Sequence, residues 1–180
     1  MTSFSLTFKA GAGALESVRK HGFDVSSIGT MAGASGGAKW LVLSKLDRAI
    51  HACIVPRLEG PVHLIGSSIG SWRFACYAQA DPGAAIDRFE QAYLEQSYSD
   101  KPDVDEITAR SRESLAIVLG EHGIEEILAN PLFRLHVLAV RSRAVMASEN
   151  RALLGTALLT AALLNVASRA TLGWFFERAL

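Results

Sequence analysis

Residues 61–75, PVHLIGSSIGSWRFA, decide the fold of this chain. The run opens with a short apolar segment at 61–65 that contains β-branched residues and is bounded by turn residues, which predicts a buried strand. A helical pattern follows from Ile69 to Ala80 and ends at an Asp-Pro-Gly turn. Between strand and helix lies a G-x-S-x-G pattern. Its small residues permit a sharp turn that exposes the hydroxyl of Ser68 at the carboxyl edge of a sheet.

On both sides of this stretch, strand-like runs alternate with helical ones, which is typical of a parallel sheet covered by helices. We predict a three-layer α/β fold in one domain over 1–180, with a mainly parallel sheet, helices on both faces and a helical insert at about 84–130. The further predicted strands are 4–8, 25–31 and 134–140, and the further predicted helices are 13–21, 38–52, 84–95, 103–120 and the residues after 148. The helix at 38–52 is predicted to bury Leu41, Val42, Leu46 and Ile50.

A second G-x-S-x-G match, GASGG, occupies 33–37. The strand pattern before it is weaker, but its glycines are denser, which favours a loop whose backbone N–H groups closely approach a ligand. We therefore interpret Ser68 as a nucleophile and residues Gly36 and Gly37 as N–H donors to an oxyanion. Two alternatives stay open: Ser35 is a competing nucleophile, and each match can instead mark only a tight strand-to-helix connection.

The two matches, SGGAK at 35–39 and GSSIGS at 66–71, resemble the patatin-like phospholipases in order and spacing. That family places a glycine-rich turn, G-G-G-x-R/K-G, about one βα unit ahead of a G-T/S-S-x-G-A/S elbow, and 134–141 is similar to the core strand after its helical insert. The resemblance implies hydrolysis of a lipid carboxylic ester through an acyl-enzyme on the elbow serine. It implies that Gly66 and Gly70 form the elbow, that Ile69 adds an oxyanion N–H, and that Lys39 stands at the family's basic position.

The sequence departs from the family in two respects. Ser35 replaces the first glycine of the turn, and Trp40 replaces the last. In addition, the family's base is an aspartate in an Asp-Gly-Gly or Asp-Gly-Ala motif, whereas this sequence has no Asp-Gly pair and its last aspartate is Asp105. We therefore expect these 180 residues to be the N-terminal part of a longer or truncated product that lacks the base and has reduced activity.

A histidine base is the rival interpretation, because a triad of the α/β-hydrolase type has the chain order Ser, acid, His. His122 and His136 follow Ser68 and have the required order. The possible orienting acids are Asp81, Asp87, Asp100, Asp103 and Asp105. A third interpretation is a binding or structural module that retains the crevice without catalysis.

Composition narrows the partners. The sequence has 18 Lys and Arg residues against 18 Asp and Glu residues, so no net positive charge favours a nucleic acid. The two cysteines, Cys53 and Cys76, lack the spacing of a zinc or redox site and are predicted to be core residues. We expect no metal or organic cofactor, and a lipid or other ester as the substrate.

One apolar segment predicts contact with a membrane surface. From Ala152 to Ser168 the sequence carries no charge, and Arg151 and Arg169 bracket the segment. As a helix it is roughly 25 Å long, which is short of the ~30 Å hydrocarbon core of a bilayer. We expect a packed or interfacial helix, with membrane contact through 152–176, in a cytoplasmic protein whose N-terminus lacks a secretory signal.

Overall fold

The computed structural model describes residues 9–148 and 150–179. Four strands form one sheet in the order β1 (Thr30–Gly33), β2 (Val62–Ser67), β3 (Phe133–Ser142) and β4 (Phe176–Ala179). The first three strands are parallel, and β4 pairs antiparallel with β3. The α/β class and the mainly parallel sheet are therefore confirmed. Eight α-helices are described: α1 (Ala12–His21), α2 (Ser44–Cys53), α3 (Ile69–Tyr77), α4 (Pro82–Leu94), α5 (Val104–Leu119), α6 (Gly123–Ala129), α7 (Arg151–Ala167) and α8 (Leu172–Phe175).

The main core lies between the sheet and helix α3, which packs across β1, β2 and β3. Val62 and Leu64 of β2 are fully buried beneath it, together with Phe74 and Tyr77 of α3. Helices α4, α5 and α6 follow between β2 and β3, so the predicted helical insert is present. The insert closes the core because Phe89 of α4 packs into the same cluster.

The other face of the sheet is open among the residues that the structure describes. Successive strand residues point to opposite faces, so the neighbours of the buried Val62 and Leu64 lie on this second face. Here His63, Arg134 and His136 are exposed. Helix α1, the first helix described, has no buried residue. The prediction of helices on both faces is therefore met on one face only.

A second, smaller apolar cluster forms after β3. Met146, Ala157 and Ala161 are buried there, with Phe175 and Phe176 packed against them. Helix α7 contributes only one side to this cluster, and Leu159 and Leu163 on its other side are 61% and 65% exposed. Within the described ranges, no helix combines the length and the apolar character needed to cross a membrane.

Several predicted elements need correction. The strand predicted at 25–31 is displaced to β1, because Asp24 accepts hydrogen bonds from the Ser26 backbone N–H (3.0 Å) and hydroxyl (2.8 Å) and so holds a turn. The tail after 148 is not entirely helical, since it ends in β4. The strand predicted at 4–8 lies outside the described residues.

The region predicted as one helix at 38–52 has two parts. It opens as a 3₁₀ helix at Gly37–Leu43 and continues as α2. This change of period rotates the buried face, so Val42 is 82% exposed and Leu46 is 36% exposed, whereas Asp47 is buried. Leu41 and Ile50 do pack against the core, as predicted.

The two cysteines lie in different environments. Cys76 is buried as predicted, and desolvation raises the pKa of its thiol to about 12. Cys53 is exposed at the end of α2, so its prediction as a core residue is wrong.

Candidate active site

Ser68 stands between the end of β2 and the start of α3 in a rare backbone conformation. Its φ is 52° and its ψ is −124°, and it is one of two non-glycine residues with positive φ in the described chain. Such a conformation costs about 1–3 kcal/mol and persists only where the surrounding structure enforces it. The side chain of Ser68 is exposed. The strand, the turn and the helix therefore present this hydroxyl at the carboxyl edge of the sheet.

Both glycines of the elbow are required by close packing. A Cβ atom on Gly66 would lie 2.5 Å from Ser71 Cα, and a Cβ atom on Gly70 would lie 2.2 Å from the backbone oxygen of Gly33. These neighbours are backbone atoms, which cannot rotate away. The spacing of the G-x-S-x-G pattern thus follows from the contact between α3 and strands β1 and β2.

The glycine turn lies directly beside the elbow. Gly33 is paired with Gly66 in the parallel register, and the hydroxyls of Ser35 and Ser67 are 2.9 Å apart. Gly37, at the start of the 3₁₀ helix, has φ 53°, a left-handed value that favours glycine. Gly36 has φ −173°, which is extended backbone that any residue adopts. The local structure therefore requires glycine at 37 rather than at 36.

Ser68 and Gly37 line one cavity of ≈ 200 Å³. The cavity lies between the elbow, the glycine turn and helices α4 and α5, and it is lined by aromatic and small polar side chains. The lining residues are Gly37, Ser68, Ile69, Trp72, Phe89, Tyr93, Gln96, Tyr98, Ser111 and Ser114. No histidine or acidic side chain belongs to this lining in the part of the chain that the structure describes.

Stacked aromatic rings hold the cavity wall. Trp40 from the 3₁₀ helix stacks on Phe89 with ring centroids 4.1 Å apart, and Trp72 from α3 also stacks on Phe89 with ring centroids 5.5 Å apart. Three segments are thereby fixed to one another: the glycine turn, the elbow helix and the insert. Trp40, which stands where the glycine-rich turn of the patatin-like proteins has its last glycine, is part of this packing.

The remaining predicted site residues fall in two groups. Gly36 adjoins Gly37, and Ile69 lines the cavity with a buried side chain, so both are close to Ser68. Lys39 is exposed and is not part of the cavity lining.

The histidines of the rival triad lie elsewhere. The His136 Nε2 atom is 2.8 Å from the Nδ1 atom of His63 on the open face of the sheet. His122 lines a separate hollow with Asp81 and Arg88. The structure therefore does not bring either histidine to the cavity of Ser68.

A buried ionic group that the sequence analysis did not single out lies behind the elbow. Asp47 of α2 accepts hydrogen bonds from the Arg73 guanidinium, with 2.7 Å from Nε, and from the Tyr77 hydroxyl at 3.0 Å. The hydrogen bonds that Arg73 donates to Asp47 raise the pKa of the Arg73 guanidinium, and desolvation by burial raises the pKa of Tyr77. The group joins the helix after the glycine turn to the helix after the elbow. The available signal was the position of Asp47, one turn before the apolar Ile50.

No group of three or more metal-binding side chains occurs in residues 9–148 and 150–179. The expectation of cofactor-free chemistry stays a prediction. Comparison of the sequence with family models, with curated proteins and with solved structures finds no match. The resemblance to patatin-like proteins therefore rests on the two sequence motifs alone.

Proposed function

We propose that this chain is a serine acyl hydrolase of the patatin-like type, with Ser68 as the nucleophile and a lipid carboxylic ester as the substrate. The observation that carries the proposal is the backbone of Ser68, with φ 52° and ψ −124° at the junction of a parallel strand and a helix, beside a glycine turn. This strain keeps the hydroxyl exposed at a cavity, which is the arrangement that an attacking serine needs.

The proposed reaction proceeds in two steps. The Ser68 oxygen attacks the ester carbonyl, its proton goes to a base, and the resulting oxyanion is stabilised by backbone N–H groups of Gly36, Gly37 and Ile69. The alcohol leaves with a proton, and water then hydrolyses the acyl-serine to the acid and the free enzyme. Helix α3 begins at Ile69, so its N-terminal N–H groups and its dipole favour the negative charge.

Among the described residues that line the cavity there is no histidine or carboxylate to act as the general base. An unassisted serine reacts more slowly by about 10²–10⁴-fold than one with a positioned base. We therefore propose low turnover for the 180-residue chain, with a rate that rises with pH as hydroxide replaces the base. A fluorophosphonate forms a stable covalent adduct with an attacking serine, so even slow attack by Ser68 accumulates label during a long incubation, and the labelling rate should rise with pH.

Labelling by a fluorophosphonate tests the assignment of Ser68. The unmodified chain should be labelled at Ser68, Ser68→Ala should lose the label, and Ser35→Ala should retain it. Mass spectrometry of the labelled peptide identifies the modified serine. Equal labelling in the Ser68→Ala variant would remove this residue from the reaction, and a loss confined to Ser35→Ala would transfer the role to the glycine turn.

The second candidate is a module that binds an ester or acyl group without catalysis, and it is favoured by the lack of an acid or histidine in the described cavity lining. The two functions differ in one outcome. A binding module retains its ligand equally in the unmodified chain and in Ser68→Ala, and neither protein is labelled at any pH.

We also propose that α7 contacts a membrane surface and so brings the site to a lipid substrate. Helix α7 carries no charge between Ala152 and Ala167, and its outer side exposes Leu159, Leu163 and Val166. Trp174, which is 69% exposed, lies close after it in sequence and is of the type found at membrane interfaces.

A further inference from the structure

A second hollow lies beside the cavity of Ser68 and is almost entirely apolar. It measures ≈ 330 Å³ and lies between helices α3, α5 and α6 and strand β3. Its walls include Leu115, Ile127, Leu135 and Val137, and Ser71 is the one residue with a polar side chain other than the Trp72 indole. A hollow of this size and composition suits a flexible hydrocarbon group rather than a charged or strongly polar one.

The two cavities share a wall. Trp72 lines both of them, and on α5 the adjacent residues Ser114 and Leu115 line the first and the second respectively. Val137 is paired with Gly66, the first glycine of the elbow, so this wall of the hollow lies two residues before Ser68, about 6.6 Å along the strand direction. A chain that extends from the Ser68 cavity into the apolar hollow would therefore pass the Trp72 ring.

The walls of the hollow include apolar side chains that the described part of the chain leaves exposed. Val137 is 50% exposed and Leu115 is 41% exposed, although both lie on the covered face of the sheet or on the helices that cover it. A hydrocarbon chain in the hollow would remove this apolar surface from water.

We propose that this hollow, here called the acyl hollow and lined by the residues given above, binds the acyl chain of the ester while Trp72 separates it from the carbonyl cavity. The inference rests on the proposed function and deepens it, since it names the acyl chain as the part of the substrate that is selected. At about 30 Å³ for each water-sized group, the acyl hollow holds roughly ten heavy atoms. We therefore expect the preferred substrate to be an ester of a medium-chain acid.

Two fluorophosphonates of different length, one with a methyl and one with a decyl chain, test the proposal. Burial of each methylene increases affinity about fourfold, so the decyl probe should label Ser68 at least a hundredfold more efficiently than the methyl probe. Leu115→Trp and Val137→Trp fill the hollow from opposite sides. Each should lower the decyl-to-methyl ratio at least tenfold.

Val140→Trp is the matched control, because Val140 is an exposed residue of the same strand on the opposite face of the sheet. It should leave the decyl-to-methyl ratio at the value of the unmodified chain. A ratio near one in the unmodified chain, or a ratio that survives both filling substitutions, would overturn the proposal.

Calorimetric titration with decanoate separates this inference from the hydrolase proposal. Decanoate should bind the unmodified chain and Val140→Trp, and binding should weaken at least tenfold in Val137→Trp. If Ser68 is never labelled but this pattern of binding holds, the acyl hollow stands and the hydrolase proposal fails. If neither probe preference nor decanoate binding is seen, the acyl hollow is wrong.

Discussion

Ser68 carries a hydroxyl group on a backbone conformation that is maintained by the residues around it. Serine has no intrinsic preference for φ 52°, so the local cost is offset by the contacts of the flanking glycines with β1 and α3. At Ser68 this cost coincides with an exposed hydroxyl beside a cavity. A simple βα connection does not require such strain, which favours the reactive interpretation of the elbow over a mere tight turn.

Substitution of Gly70 tests whether the elbow depends on this contact. A Cβ atom at Gly70 would lie 2.2 Å from the Gly33 oxygen, so Gly70→Ala must push α3 away from β1. We expect a loss of about 1–3 kcal/mol in the free energy of unfolding, measured in urea, and a loss of fluorophosphonate labelling. Gly29→Ala is the control, because a Cβ atom there meets nothing within 4 Å. Unchanged stability and labelling in Gly70→Ala would show that the elbow is looser than the structure indicates.

Among the elements, α2 and α3 are joined by buried charge rather than by apolar packing alone. Asp47 is 1% exposed and the Arg73 side chain is 13% exposed, so the pair is held largely away from water. Removal of one partner leaves the other charge buried without compensation. Because α2 follows the glycine turn and α3 follows the elbow, this ion pair also sets the distance between the two halves of the proposed site.

Asp47→Ala should therefore lower the free energy of unfolding by about 3–5 kcal/mol. The exposed ion pair of Glu16 and Lys20 supplies the control, since Glu16→Ala should change the free energy of unfolding by less than about 1 kcal/mol. Urea unfolding followed by circular dichroism measures both. Similar small losses for the two variants would contradict the claim that Asp47 fastens α2 to α3.

How much of this could be predicted from the sequence differs between elements. Strand β2, helix α3 and the elbow were predictable because apolar runs, turn residues and the glycine spacing all agree over 61–75. The position of β1 was not predictable, because the side chain of Asp24 holds a turn within the segment where the strand was predicted. The predicted burial of Val42 and Leu46 was also wrong, since a 3₁₀ turn shifts the periodicity and a tertiary partner, Arg73, stabilises the buried Asp47. Strand β4 depends on non-local pairing with β3, which local patterns do not report.

At the scale of the whole molecule, the described residues leave apolar surface on α7. The side of α7 that faces Met146 is covered, whereas Leu163 on the other side is 65% exposed. Soluble monomers rarely expose a continuous apolar face of this kind, and such faces commonly mark sites of contact with a lipid or protein surface. Because we propose a lipid substrate, we interpret this apolar face as a site of contact with lipid.

Co-sedimentation with phosphatidylcholine vesicles tests this contact. The unmodified chain should sediment with the vesicles, and Leu163→Glu should lower the bound fraction at least tenfold, because burial of a leucine contributes about 1.5–3 kcal/mol and a carboxylate resists transfer from water. Leu128→Glu is the matched control: Leu128 is 81% exposed, but it lies on α6, away from α7. If both variants sediment like the unmodified chain, the exposed side of α7 does not contact the bilayer. A further outcome is that Leu163→Glu alone loses vesicle binding and is still labelled at Ser68 by a soluble probe. That result would show that the lipid-contacting surface and the reacting site are separate parts of the molecule, because the substitution then abolishes membrane binding without altering the elbow.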